Sequence, residues 1–363
     1  MKKKIAFLVN GVNAGGTENY LLRFLSFYID KIDATVYCKS GRLGELENEF
    51  RNLGVNLKPF HLGYFNFRDY YKLRKDFIKS NYDSVCDLTG SFGAVPLLIA
   101  KLAGIKKRVG FFRNSSEKFQ KTFFKVQYNR LITWILPNVA TNVLSNSKSA
   151  LNYFYNDRWE RNNKFQVIYN GLDSNIFLDN SGDLRDELKI SSNAFVVGHV
   201  GRLNEQKNHE TAINVAIELC KEHPDVYFIF CGKNVDVAYS ELVSKQNLSE
   251  RILLLGMRRD ICKVLRTMDC FYFPSKVEGQ PNALIEAMMV GLPFVTSDID
   301  PIKETVPEKF HTQLVSPTDI IEAKRKILEV KNSHALRRRL NLSDWTCEYY
   351  RPEKWFSMFY EKI

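Results

Sequence analysis

The sequence contains no run of about twenty apolar residues, the length that crosses a bilayer as a helix. Its seven cysteines (38, 86, 220, 231, 262, 270 and 347) form no CxxC pair, and its six histidines are equally scattered. Such spacing offers neither a disulfide framework nor a structural zinc site. Cysteines lying mostly within apolar runs fit buried thiols in a reducing cytoplasm. Low-complexity tracts and solenoid-period repeats are missing too. So is the GxGxxG fingerprint after the first apolar run, which argues against a nicotinamide or flavin enzyme. The opening "MKKKIAFLV" carries three lysines but only five apolar residues before Asn10, too few for the core of a secretion signal. It reads as a first β-strand of a cytoplasmic protein.

What is present is an ordinary globular composition, 45% hydrophobic and 26% charged over 363 residues, enough for two domains with sizeable cores. The net charge of +11 is uneven. Residues 1–170 hold 27 Lys and Arg against 13 Asp and Glu, whereas residues 171–363 hold 25 against 28. Whatever a basic surface serves, it belongs to the first half.

Short β-branched or aromatic runs alternate with amphipathic stretches along the chain. The first half offers "KIAFLV", "DATVYC", "VNLKPF", "DSVCDL", "KRVGFF", "TNVLS" and "FQVIY" as strands. The second restarts with "AFVVGHVG", "VYFIFCG", "RILLLG", "CFYFPS", "LPFVTS" and "HTQLVS". Alternation of this kind predicts right-handed βαβ units and parallel sheets, and so many strands favour two doubly wound domains over one. The boundary is expected near 169–194, a stretch rich in Asn, Asp, Ser and Gly.

Three stretches carry chemistry. In "SKVEGQPNALIEAMMVGLP" (275–293), Glu278 and Glu286 stand eight residues apart around a helix expected to begin at Pro281. A helix start suits a phosphate, and carboxylates accept well from sugar hydroxyls. The pair therefore suits a diphosphate between two sugars, that is, a nucleotide sugar. The bland alternative pairs Glu286 with a lysine or arginine and leaves Glu278 solvated. In "VGRLNEQKNHETAI" (200–213), Arg202 and Lys207 follow a strand and precede a helix capped near Asn208. Two cations there suit a diphosphate leaving group, or are merely solvated. In "NGVNAGGTENYLL" (10–22), Gly15 and Gly16 either bring backbone close to a ligand or make a plain turn.

In this order and spacing, "GGTEN", "VIYNGLDSNIF" (167–177), "VGRLNEQKN" and "EGQPNALIE" resemble the retaining family 4 glycosyltransferases, over nearly the whole chain. The resemblance implies the α/β fold called GT-B, with two Rossmann-like doubly wound domains whose parallel sheets face a cleft. It implies an acceptor domain over 1–168, a donor domain over 169–346, and a C-terminal helix (347–363) that returns to the first domain. Glu278 would contact the transferred sugar and Glu286 the ribose hydroxyls. Arg202 and Lys207 would bind the diphosphate, with Gly279, Gln280, Pro281, Asn282 and Ala283 completing the anion site. Gly15 and Gly16 would close over the phosphates. Arg202, Lys207 and Glu278 are thus the catalytic candidates. Many members carry a histidine in the loop after "KKRV"; here Phe111 and Arg113 stand there, and Arg113 with Asn114 is a candidate sugar or acceptor contact.

Asp298-Ile299-Asp300 forms a DxD pattern of the kind that holds metals in other transferases, but it precedes Pro301 and reads as a surface loop. No metal and no cofactor are expected, the UDP- or GDP-linked sugar being a substrate. Residues 101–130 hold nine basic residues against one acid, Glu117. Within 117–136, Lys118, Lys121 and Lys125 interleave with Phe123 and Phe124. This suits a helix on an anionic membrane or, equally, a domain helix with its aromatics in the core. No nucleic-acid recognition module is visible. The expected protein moves a sugar, with retention, to a lipid-linked glycan for capsule, lipopolysaccharide or other cell-surface polysaccharide. It would work peripherally on the inner face of the plasma membrane. The competing readings are a sugar-nucleotide epimerase on the same fold, and a non-catalytic membrane- or polyanion-binding protein.

Overall fold

The computed structural model describes residues 2–63, 66–114, 123–178 and 182–363. All thirteen strands expected from the sequence form, in two sheets. The first sheet holds β1 (Lys3–Val9), β2 (Ile32–Cys38), β3 (Asn56–Pro59), β4 (Ser84–Asp87), β5 (Lys107–Phe112), β6 (Asn142–Ser145) and β7 (Phe165–Val167). The second holds β8 (Phe195–Val200), β9 (Val226–Cys231), β10 (Ile252–Leu254), β11 (Cys270–Phe273), β12 (Phe294–Ser297) and β13 (Leu314–Val315). Every pairing is parallel. That explains the unbroken apolar runs, since a parallel strand is covered by helices on both faces. Ile5 to Val9 of β1 are all buried.

The strand orders are β3-β2-β1-β4-β5-β6-β7 and β10-β9-β8-β11-β12-β13. In each sheet the winding direction reverses once, between β1 and β4 in the first and between β8 and β11 in the second. Doubly wound sheets open their ligand crevice at such a reversal, beyond the carboxyl ends of the two strands. The loops after β1, β4, β8 and β11 are therefore where chemistry is to be sought.

The chain divides into two compact units, 1–171 with 352–363, and 172–351. The terminal helix Pro352–Lys362 belongs to the first. It sets Phe356 and Phe359 against the helix Gly16–Tyr28, whose Tyr20, Phe24 and Tyr28 line one face at i,i+4 spacing. Ring centroids lie 5.7 Å apart for Tyr20–Phe356, 4.6 Å for Phe24–Phe359, and 4.5 Å for the stacked Tyr28–Tyr360 pair. Gly171 is needed at the start of this docking: a Cβ there would stand 2.8 Å from Pro352 Cα.

Candidate functional site

In the second unit, three contacts stitch the loop after β8 to the loop after β11. Lys207 Nζ lies 2.7 Å from Glu278 Oε1. The Lys276 amide donates to the Gln206 carbonyl at 2.8 Å. The Asn208 side-chain amide donates to the carbonyls of Pro274, at 3.0 Å, and Pro317, at 2.6 Å. Asn208 sits at φ 55°, a left-handed backbone that asparagine tolerates better than most residues, and immediately precedes the helix His209–Glu222. Asn204 caps the short turn before it, accepting from the Lys207 amide. The sequence thus spends two asparagines on fixing the path that delivers Lys207.

Lys207 and Glu278 form an ion pair. Their side chains are 19% and 9% exposed, and the ammonium lies 4.6 Å from the Phe273 ring centroid. Separate roles on diphosphate and sugar were expected for them, and the structure brings the two charges into one ion pair. Arg202 is exposed on the same loop. The helix after β11 runs Asn282–Met289, with Pro281 as its cap rather than its first residue. Its apolar run is not buried all round. Leu284, Ile285, Ala287, Met288 and Met289 are covered, while Asn282, Ala283, Glu286 and Val290 form a partly open strip. Glu286 is therefore half-buried on the strip that begins at the helix N-terminus, not a charge sealed in a core. Gly279 is partly open, and Gln280 and Pro281 are buried.

Several positioning residues gave no signal in the sequence. His199 of β8 and His209 lie with ring centroids 4.7 Å apart. His199 Nδ1 faces the Tyr272 carbonyl at 3.0 Å, and His209 Nε2 faces the Gly201 carbonyl at 3.0 Å. A carbonyl only accepts, so each of these nitrogens carries the proton. Burial holds the His199 imidazole well below its usual range, with His209 next in effect; burial likewise lowers His209. Below about pH 6.5 the unfolded chain therefore binds more protons than the folded one, and stability rises with pH across that window. Unfolding free energy measured from about pH 7.5 down to about pH 5 should fall, and less steeply in His199→Asn. Equal slopes would show that the pair does not titrate on unfolding.

Gly232, after β9, lies against the same segment: a Cβ there would stand 1.9 Å from the Gly201 carbonyl oxygen. Backbone cannot yield as a flexible side chain does. Gly232→Ala should cost about 1–3 kcal/mol and displace the Arg202–Lys207 loop, read as a lower melting temperature with weaker nucleotide binding. An unchanged melting temperature would contradict that packing.

In the first unit the glycine loop follows β1 at the reversal point, with Gly15 as the cap of the helix Gly16–Tyr28. Beyond β4, Asp87 is fully buried and pairs with the buried Lys39, whose Nζ lies 2.9 Å from Asp87 Oδ2 and 2.5 Å from Thr89 Oγ1. This cluster was also unforeseen. Arg113 directly follows β5 and is buried, its guanidinium carbon 3.8 Å from the Tyr20 ring centroid. Its Nε and Nη1 have no hydrogen-bond partner among the described residues. Burial lowers its pKa to about 10, which leaves it charged at neutral pH. Asn114 beside it is exposed.

Asp298 pairs with Lys303 at 2.6 Å, and among the described residues no three His, Cys, Asp or Glu side chains cluster as metal ligands would. Lys118 and Lys121 lie outside the described residues. Phe123 and Phe124 begin the helix Phe123–Val139 and are 72% and 84% exposed; Lys125 is exposed beside them.

Two doubly wound parallel units with their chemistry-bearing loops at the reversal points define the GT-B class of fold. A solved structure of Anabaena HepE in complex with UDP and glucose is similar over 99% of this chain and 98% of its own, with a TM-score of 0.82 at 22% identity. Two family models match in succession: Glycosyltransferase Family 4 over residues 14–175 and Glycosyl transferases group 1 over residues 180–342. The chain is a GT-B glycosyltransferase of family 4. Escherichia coli UDP-Gal:alpha-D-GlcNAc-diphosphoundecaprenol alpha-1,3-galactosyltransferase is 31% identical over 69% of this chain and 66% of its own length. The Staphylococcus aureus capsular polysaccharide biosynthesis glycosyltransferase CapH is 25% identical over 78% of each. Among the described residues, no helix is long and apolar enough to cross a membrane.

Proposed function

We propose that this glycosyltransferase moves a sugar from a nucleoside diphosphate donor to a hydroxyl of a lipid-linked glycan, in assembly of a bacterial cell-surface polysaccharide. The observation that carries the reading is the Lys207–Glu278 ion pair, which joins the loops after β8 and β11 at the reversal point, with Arg202 on the first of these loops and Glu286 on the helix that follows the second. A helix N-terminus with two cations suits a diphosphate, and a carboxylate on either side of it suits the two sugars. Glu286 takes the ribose hydroxyls, and Glu278 the transferred sugar. Lys207 bridges Glu278 to the phosphate and, with Arg202, stabilises the charge that develops there as the bond breaks. The backbone from Gly279 to Ala283 completes the anion site.

Transfer proceeds with retention and without a metal. The bond from the anomeric carbon to the phosphate oxygen breaks, and the acceptor oxygen bonds to the same face. The acceptor proton passes to the leaving phosphate, so no protein base is required. Arg113 and Asn114 contact the reacting sugar or the acceptor. UDP is the favoured nucleotide, since the E. coli relative is named for a UDP-linked donor; that relative's diphosphoundecaprenol acceptor supports a lipid-linked one here.

A lipid-linked acceptor calls for a protein held at the cytoplasmic face of the membrane. The outward side of Phe123–Val139 supports this: Phe123, Phe124, Leu131 and the 70%-exposed Trp134 lie opposite the buried Ile132 and Leu136, and Lys125 and Arg130 are exposed on the same helix. The test is product stereochemistry by NMR with a UDP-sugar and a polyprenyl-diphosphate acceptor, with and without EDTA. An inverted anomer, or activity abolished by EDTA and restored by a metal, would overturn the mechanism.

A further inference from the structure

In the first unit, the helices between β3 and β7 share one face of the sheet and one hydrophobic core, which includes Leu73, Phe77, Leu97, Ile132, Leu136 and Leu151. Nine of the sixteen exposed large hydrophobic side chains found among the described residues lie on the helices Phe67–Ser80, Ala94–Leu102, Phe123–Val139 and Lys148–Tyr155. A soluble helix layer has no use for so many on one side. Those of Phe67–Ser80 are separate in sequence from those of Phe123–Val139 and form a pattern of their own.

Leu73 and Phe77 fix which side of Phe67–Ser80 meets the core. Phe67, Tyr71 and Ile78, at i, i+4 and i+11, fall together on another arc of the same helix and are 85%, 56% and 50% exposed. Next to that stripe run five exposed cations, Arg68, Lys72, Arg74, Lys75 and Lys79. The helix also carries two acids, and both are engaged elsewhere. Asp76 pairs with Lys58 at 2.8 Å and accepts from the Tyr37 hydroxyl at 2.5 Å. Asp69 accepts from the Gly63 amide at 3.4 Å and lies 3.5 Å from His61. None of the five cations has a carboxylate partner among the described residues. Arg74 donates to the Leu102 carbonyl at 3.2 Å, which aims the stripe toward the exposed Leu102 of the next helix in the layer.

We infer that Phe67–Ser80 is a second membrane-contacting element, its stripe entering the headgroup region of an anionic bilayer and its cations lying on the phosphates. This rests on the lipid-linked acceptor reading and names the surface that holds the enzyme there. An apolar stripe alone would suit many partners. A stripe bordered by positive charge that has no carboxylate partner among the described residues, with Lys75 lying 4.7 Å over the Tyr71 ring centroid, matches a surface that is apolar inside and negatively charged outside. The helix Ala94–Leu102 packs against both Phe67–Ser80 and Phe123–Val139, so the two stripes belong to one helix layer, and each added Lys or Arg contributes to binding while the ionic strength is low.

The experiment is vesicle co-sedimentation of the full chain, on phosphatidylcholine alone and on phosphatidylcholine with phosphatidylglycerol, with UDP thermal stabilisation measured on each variant. A Phe67→Ser/Tyr71→Ser/Ile78→Ser variant alters only exposed positions, so its UDP response should equal that of the wild type. Its partition onto anionic vesicles should fall at least about tenfold. Replacing Arg68, Lys72, Lys75 and Lys79 by Gln should flatten the salt dependence of the remaining binding. If the serine variant binds like the wild type while a Phe123/Phe124/Trp134 variant does not, the inference fails and the other helix alone docks. If wild-type protein ignores both vesicles but is stabilised by UDP, the membrane surface is refuted and the transferase site stands. If the serine variant instead abolishes a concentration-dependent dimer with vesicle binding unchanged, the stripe is a self-association surface.

Discussion

Lys207→Ala should lower sugar transfer by about two to three orders of magnitude, the scale of losing one preorganised contact to a developing oxyanion. The loss should appear in kcat more than in KM, because the phosphate gains charge as the glycosidic bond breaks. The same substitution removes the 2.7 Å cation from Glu278, whose side chain is only 9% exposed. Losing that ion pair at a largely buried carboxylate costs roughly 1–3 kcal/mol, seen as a lower melting temperature without ligand. Glu278→Gln/Lys207→Ala should recover part of that stability and none of the activity. Arginine at 207 keeps the charge but presents a planar fork in place of a compact ammonium, so it should restore stability better than rate. A Lys207→Ala enzyme with wild-type kcat would remove the residue from the site.

Glu286→Ala is expected to have the opposite profile. The residue is half-buried on the open strip of its helix, so stability should change by no more than about 1 kcal/mol. UDP affinity should fall by roughly one to two orders of magnitude, the worth of hydrogen bonds to a charged group. The two variants together separate a contact that acts on both stability and turnover from one that acts mainly on nucleotide affinity. If Glu286→Ala unfolds while nucleotide affinity stays unchanged, the carboxylate is structural.

Much of this was legible from the residues. The strands could be read because parallel strands are apolar throughout, and runs such as "AFVVGHVG" and "VYFIFCG" have few other homes. The two glutamates, the Arg/Lys segment and the glycine loop could be found as motifs because each is compact in sequence. What joins them is not. Lys207 and Glu278 are 71 positions apart, and only the β8/β11 neighbourhood makes them a pair. Asn208 looked like a helix cap; its left-handed backbone and its bonds to Pro274 and Pro317 depend on two distant loops. The histidine pair was invisible for the same reason, as isolated histidines carry no spacing. "DYYKLRKDFIKS" announced an amphipathic helix, but periodicity does not say which arc meets the core. Leu73 and Phe77 took that place, leaving Tyr71 and Ile78 outside.

The second unit as a donor site is the central claim, and calorimetric titration with UDP in the presence of EDTA tests it most directly. The wild-type chain should bind one UDP, and at a concentration 100 times the dissociation constant be stabilised by about 2.7 kcal/mol. Glu286→Ala should bind at least about tenfold more weakly with its fold intact. No heat and no stabilisation with UDP, GDP or ADP, or equal affinity in the two proteins, would contradict the account.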